Sequence, residues 1–364
     1  MKRLLLVWVS IIIVLSFKAS AEDFSSVYQG QTIYYNITSM SSPYSVEVTY
    51  KGDFPTASFN EYSGDLVIPP TVIYDDKTYN INSIGEMAFT YCDSLTSISI
   101  PATINSIIAS SFYIIPSLVS INVDSNNMYY SSLDGVLYNK AQDTLLRCPE
   151  SYSRSSFTIP SSVNIVGANA FEFCKGLTSV SIPNSVTRIE KHAFCLCIGL
   201  TSISIPESVN FIGDCAFNYC TNLTSINCAA VIPPTIESSD IFLDVPMNIP
   251  VNVPCSSIES YRNAQYWSRF SNITCFTSLL DRFDNKLSAK LYPNPAINKT
   301  IIEIQGLENK AEVIITDLFG RMMSKYNINE SQSLEINLES FTKGTYNVSI
   351  QTNNRAITKK LIVQ

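Results

Sequence analysis

The sequence predicts a mainly β protein with short helical turns, built as a solenoid of 23-residue repeats plus a small C-terminal β-sandwich. Three observations carry this prediction. Phe89, Phe112, Phe171, Phe194 and Phe217 recur at spacings of 23, 59, 23 and 23 residues. Hexapeptides of the Leu-Thr-Ser-Ile-Ser-Ile kind lie between them, and Ile-Pro recurs at 68–69, 100–101, 159–160, 182–183 and 205–206. From Lys290 the period gives way to short β-rich runs separated by turn residues.

The chain begins with Lys2 and Arg3, an apolar run from Leu4 to Leu15, and Ala19-Ser20-Ala21. A basic start, a short apolar core and an A-x-A site make a secretory signal peptide over 1–21. The run is shorter than the ~20 residues of a membrane-spanning helix. Residues 22–66 alternate aromatic and polar residues, as in Ile33-Tyr34-Tyr35-Asn36-Ile37 and Val46-Glu47-Val48-Thr49-Tyr50, and predict an N-terminal β cap.

The repeats occupy 67–228. Relative to each Phe, a small residue stands one before (Ala88, Ser111, Ala170, Ala193, Ala216). Three after stand Cys92, Ile115, Cys174, Cys197 and Cys220, and six after always a Leu: Leu95, Leu118, Leu177, Leu200, Leu223. In the hexapeptide the fourth and sixth positions alternate onto one side of a strand, and Pro, lacking a backbone donor, closes it. The Ala-Phe-x-x-Cys stretch spaces its apolar residues by three, which suits a helical turn on the opposite side of the coil. One unit cannot bury its own apolar face, whereas stacked units make a continuous core. The array is interrupted at 73–81 and 124–159, each containing a predicted hairpin. Residues 229–275 lose the period, hold Tyr261, Tyr266 and Trp267, and predict a C-terminal cap, followed by a linker over 276–290. The runs 301–305, 312–316, 334–337, 345–351 and 357–363 predict the sandwich over 291–364.

Two resemblances follow from these residues. The unit L-T-S-I-S-I-P-x-S-V-x-x-I-x-x-x-A-F-x-x-C resembles the leucine-rich repeat of BspA-like bacterial surface antigens. The last segment resembles the C-terminal sorting domain of type IX secretion substrates. It does so through Tyr292-Pro293-Asn294-Pro295, Asp317 with Gly320 and Arg321, Lys343-Gly344-Thr345-Tyr346, and the basic-apolar end with Lys359 and Lys360. The first resemblance implies a surface adhesin whose partners are host matrix proteins or other bacterial surfaces. The second implies handling by the type IX machinery and its sortase, removal of the tail, and attachment of the remainder to surface lipopolysaccharide. The alternative is a display spacer without a defined ligand.

Composition excludes several classes. There are 24 Lys+Arg against 31 Asp+Glu, a net charge of −7, and 46% hydrophobic residues. Such a chain is too acidic for backbone binding to nucleic acid and too apolar for disorder. Residues 22–289 carry 12 basic and 24 acidic residues and 290–364 carry 9 and 7, so two parts of opposite charge are joined. His192 is the sole histidine, at a column otherwise held by Met87, Ser110, Asn169 and Cys215, which reads as a surface position of the convex side. No G-x-S-x-G, H-E-x-x-H, Walker A or EF-hand pattern is present. No enzyme activity, cofactor or metal is expected. Four of the ten cysteines share one repeat position with Ile115, which marks them as small buried hydrophobes. Cys228, Cys255 and Cys275 leave room for one disulfide near the cap. Cys195-Leu196-Cys197 alone falls short of a four-ligand zinc site.

A surface remains. The strand residues expected to face the concave side are Ser97/Ser99, Ser120/Asn122, Ser179/Ser181, Ser202/Ser204 and Ser225/Asn227, without the Trp, Tyr or Arg that anchor interfaces. Aromatic groups collect instead in the interruptions. Tyr74, Tyr79, Tyr129, Tyr130 and Tyr138 are the candidate binding surface, or else they pack the hairpins onto the solenoid.

Overall fold

The computed structural model describes residues 22–53, 61–276, 288–305, 310–317, 321–329, 333–352 and 356–364. The expected signal peptide, Gly320 and most of the expected linker lie outside them. The chain divides into two compact units, Met1–Asp134 and Gly135–Gln364.

In the first unit, strands Phe24–Tyr28, Gln31–Ser39 and Ser45–Thr49 form an antiparallel meander. The third strand pairs in parallel with Lys77–Ile84. That strand also accepts Thr71–Tyr74 as a hairpin partner, closed at Asp75 and Asp76, both with positive φ. Strands Gly64–Val67, Leu95–Ile100 and Ser120–Val123 stack in parallel. The repeat sheet thus begins at Gly64, three residues inside the segment predicted as cap.

In the second unit the repeat is regular. Ser156–Thr158 pairs in parallel with Ser179–Ser181, so a repeat strand occupies the end of the segment predicted as an interruption. Ser202–Ile205, Ser225–Cys228, Pro250–Val253 and Asn272–Cys275 form a second parallel run. Coils therefore continue through 229–275, where the sequence period fades because the coil length changes. Phe242, 25 residues after Phe217, keeps the ring stack at 5.9 Å and 10°. Trp267 meets Phe242 edge-on at 5.5 Å, and Trp267 and Tyr261 are fully buried.

The structure adds a second parallel sheet that the pattern did not reveal. The apolar residue five before Phe112, Phe171, Phe194 and Phe217 sits in a two-residue strand, and Val166, Ile189, Ile212 and Ile236 pair in succession. Between the two sheets the Phe side of the coil makes turns, with 3-10 helices at Ala109–Phe112 and Ser239–Phe242. The turns alternate in handedness. The residues two before and two after the Phe have positive φ of 52–63° at Met87, Tyr91, Asn169, Phe173, His192, Leu196, Cys215 and Tyr219. This turns every second amide along the stack. Asn169, Phe171 and Phe173 donate to the carbonyls of Lys191, Ala193 and Cys195 in the next coil at 3.1, 2.7 and 3.0 Å. His192, Phe194 and Leu196 repeat the pattern one coil later at 2.8 Å each.

The core follows the columns. Phe171, Phe194 and Phe217 stack at 5.0 and 5.3 Å within 4° of parallel, and Leu177, Leu200 and Leu223 are at most 2% exposed. The thiols are more than filler. Cys197 and Cys220 donate from Sγ to the carbonyls of Phe171 and Phe194 at 3.0 and 3.2 Å, a bond that Ile at this position cannot make. Burial pushes the Cys220 thiol up to about 12. Cys255 and Cys275 form a disulfide, while Cys228 remains a free, buried thiol.

The last strands form two sheets, Ser288–Tyr292 with Lys299–Gln305 and Ser333–Asn337, and Met322–Asn329 with Lys310–Asp317, Gly344–Gln351 and Ala356–Val363. Ile302, Ile304 and Ile336 from the first share one core with Val313, Ile315, Val348, Ile350 and Leu361 from the second. Among the described residues, no helix is long and apolar enough to cross a membrane.

Candidate functional site

The five tyrosines separate by environment. Tyr79 is 4% exposed and Tyr138 1%, so both belong to the core and drop out of the candidate surface. Tyr79 takes the inward side of an alternating strand, whereas Tyr138 lies in a strand whose Val136, Leu137 and Tyr138 are all buried. Tyr74 is 41% exposed and stacks on Phe24 at 4.0 Å. Tyr130 is half-buried, and its hydroxyl accepts from the Ile107 amide at 2.9 Å. Tyr129, 55% exposed, faces solvent beside Met128 at 74%. Asn127 fixes this loop. Its buried side chain donates to the carbonyls of Pro101 and Ile104 at 2.9 and 2.8 Å and accepts from the amides of Tyr129 and Tyr130 at 2.8 Å. The loop therefore presents Met128 and Tyr129 from a rigid base.

The open face of the repeat strands carries the expected small polar residues. Ser97, Ser99, Ser181, Ser202 and Ser204 are half-buried. Toward the end of the repeat array the polar groups bond along the stack. Asn227 donates to Ser204 at 3.3 Å, Asn252 to Asn227 at 2.8 Å, and Thr274 to Asn252 at 2.9 Å. Asn227 itself is buried. Asp65 accepts from Ser97 and Thr96 at 2.6 and 3.0 Å, which holds its carboxyl below the usual range.

On the turn side, His192 is not an isolated surface residue. Its side chain is 25% exposed, with Nδ1 4.0 Å from Glu172 Oε1. Glu172, His192 and Cys195 form one cluster, and His192, Asp214 and Cys215 another, the offered ligand atoms of each lying within 4.8 Å of one another. Burial lowers the His192 imidazole and raises the Glu172 carboxyl to about 7, against the pull of Arg147 and an Asn169 hydrogen bond. Sequence spacing could assign each residue its column. It could not show that the column two before the Phe faces the column one after it across coils.

In the tail, the motif residues join the strand ends. Asn294 Nδ2 donates to the Lys360 carbonyl at 2.7 Å, and its Oδ1 accepts from the Ile362 amide at 2.9 Å. The Pro293 carbonyl accepts from Thr300 at 3.0 Å, and the Tyr292 hydroxyl donates to Glu303 at 2.9 Å. Asp317 accepts from the Arg321 amide at 2.9 Å and from its Nε at 2.6 Å. Tyr346 is buried and donates to the Thr342 carbonyl at 2.7 Å. Pro295, Lys343, Gly344, Lys359 and Lys360 are exposed.

Comparison with known proteins matches both parts. Residues 76–134 and 148–264 match the BspA type Leucine rich repeat region in six copies, and residues 290–364 match the Secretion system C-terminal sorting domain. No curated protein matches the chain. Similar solved structures include a leucine-rich repeat protein from Eubacterium ventriosum, at 25% identity over 58% of this chain and 54% of that one, with a TM-score of 0.45. The chain thus spans about half the length of that relative. Others are the pneumococcal vaccine antigen PcpA, at 14% identity, 71% and 100% coverage and TM-score 0.39, and a Bacteroides ovatus leucine-rich repeat protein, at 20%, 70% and 76%, and 0.34. By its repeats and its tail, the chain carries a BspA-type leucine-rich-repeat region and a type IX secretion sorting domain, and it is a secreted cell-surface protein.

Proposed function

We propose that this surface protein is an adhesin that binds other proteins, and that contact is made through the interruptions of the repeat array rather than through its open strand face. The loop held by Asn127 carries the reading, because it exposes Met128 and Tyr129 on a fixed base. An aromatic ring whose backbone is already ordered loses little entropy on binding. The Ser and Asn residues of the strands provide no comparable anchor. Host matrix proteins and other bacterial surfaces are the partner class. Sortase removal of residues 290–364 and attachment of the remainder to lipopolysaccharide complete the path to display.

The test is adhesion of the purified chain to immobilised matrix proteins and to bacterial cells. Met128→Ser combined with Tyr129→Ser reduces binding at least about tenfold, equal to 1.4 kcal/mol, with the melting temperature unchanged. Ser202→Ala with Ser204→Ala leaves binding intact. Binding that ignores the loop variant overturns the assignment. A complete lack of binding favours the display spacer, which the self-satisfied Asn227–Asn252–Thr274 ladder also suits.

A further inference from the structure

Each repeat turn pairs the residue two before its Phe with the residue one after it. The amides of Glu172, Cys195 and Asn218 bond the carbonyls of Asn169, His192 and Cys215 at 3.2, 3.1 and 3.1 Å. Stacking then lays three such pairs side by side. The first gives Glu172, the second His192 and Cys195, and the third Cys215 next to Asp214. The fold does not require ligand-type residues here, since the equivalent pairs in the first unit are Met87 with Thr90 and Ser110 with Tyr113.

We propose that this cluster binds one zinc-class transition-metal ion, with His192 as the shared ligand between the Glu172–Cys195 and Asp214–Cys215 pairs. Imidazole, thiolate and carboxylate donors together form a borderline N/S/O set. Zinc accepts such a set, whereas calcium and magnesium take oxygen alone. Three protein ligands suffice for an open zinc site, with the fourth position left to water or to a donor from the other pair. The ligands have supporting partners of the kind that orient metal sites. Asn169 donates to Glu172, and Ser238 donates to Asp214. A separate observation points the same way. Asn218 is 9% exposed and hydrogen-bonds to Cys215, yet its Oδ1 is buried without a hydrogen-bond partner. A buried acceptor of this kind marks a place where a further polar group belongs. His192, Asp214 and Cys215 are half-exposed, which gives an ion its way in.

The proposal stands apart from adhesion and is tested on the full chain, purified anaerobically and titrated with Zn²⁺ or Co²⁺. The expected result is one ion per chain with micromolar or tighter affinity, and a thiolate-to-cobalt charge-transfer band. His192→Asn places at 192 the residue already found at Asn169, and Cys195→Thr the residue found at Thr90, so both keep the coil. His192→Asn weakens binding at least about 100-fold, and Cys195→Thr or Cys215→Ser diminishes the cobalt band. Unchanged zinc affinity in His192→Asn overturns the site. A cobalt spectrum without a thiolate band does so too, as does a Cys195–Cys215 disulfide found by mass spectrometry.

Discussion

Phe194 lies between two parallel rings, Phe171 at 5.0 Å and Phe217 at 5.3 Å, with no exposed surface. Phe194→Ala removes the ring from both stacks and leaves a void bounded by neighbouring coils. Loss of transfer energy and the cavity together cost about 3–5 kcal/mol, of which each ring pair accounts for roughly 0.5–1.5 kcal/mol. Because coils contact only their neighbours, the loss should be local to adjacent coils. Urea unfolding gives the total, and native-state hydrogen exchange gives its distribution. The Phe171 and Phe217 amides donate to the stack at 2.7 and 3.0 Å and should lose protection, while the sandwich amides keep theirs. Ser179→Ala, on an exposed strand position of the same unit, should change stability by no more than about 0.5 kcal/mol. A cost below about 1 kcal/mol for Phe194→Ala, or equal costs at both sites, would refute the ring stack as the core of the array.

Tyr130→Phe leaves the Ile107 amide without its acceptor and should cost about 1–3 kcal/mol by urea unfolding, with adhesion unaffected once the protein is folded. Replacing Cys255 and Cys275 with Ala opens a loop of 20 residues and should lower stability by about 3 kcal/mol, read as a drop in melting temperature. Burial raises the Glu61 carboxyl to about 7, above its unfolded value, so the folded state binds the extra proton and stability falls as pH rises from about 4.5 through 7. Glu61→Gln should remove that slope and stabilise the protein at pH 8 by about 1 kcal/mol, allowing for its partial exposure. Deleting 290–364 should leave the repeats folded but absent from the cell surface, as judged by antibody on intact cells.

The repeat was legible because its columns are set by sequence alone. Phe, Leu and Cys recur at fixed distances, and the structure gives each column one environment. Both hairpins were legible from their turns. The second sheet was not, because a two-residue strand has no alternation to read. Tyr79 and Tyr138 were misplaced because what packs on a hairpin decides its burial: Tyr79 takes the inward face of its strand, and the strand of Tyr138 is buried on both faces. The Cys255–Cys275 pairing and the His192 cluster depend on which columns meet across coils. The parallel register of Pro250–Val253 with Asn272–Cys275 sets the first and the alternating turns set the second, and no spacing along the chain encodes either.

Those turns also constrain how such an array can change in length. Positive φ at a non-glycine residue is unfavourable on its own. Here it aims each peptide at its counterpart 22 residues ahead, as from Phe171 to Ala193 and from Phe194 to Ala216. A duplication or deletion of 23 residues returns every amide to a carbonyl and every ring to a ring. A change of 22 or 24 within the regular coils shifts left-handed positions onto core residues and breaks three columns at once. Among the regular 23-residue coils, growth and shrinkage are therefore confined to whole coils. Irregular lengths are absorbed away from the Phe turns, as in the hairpin at Asp75–Asp76 and in the 25-residue coil that returns Phe242 to the ring stack.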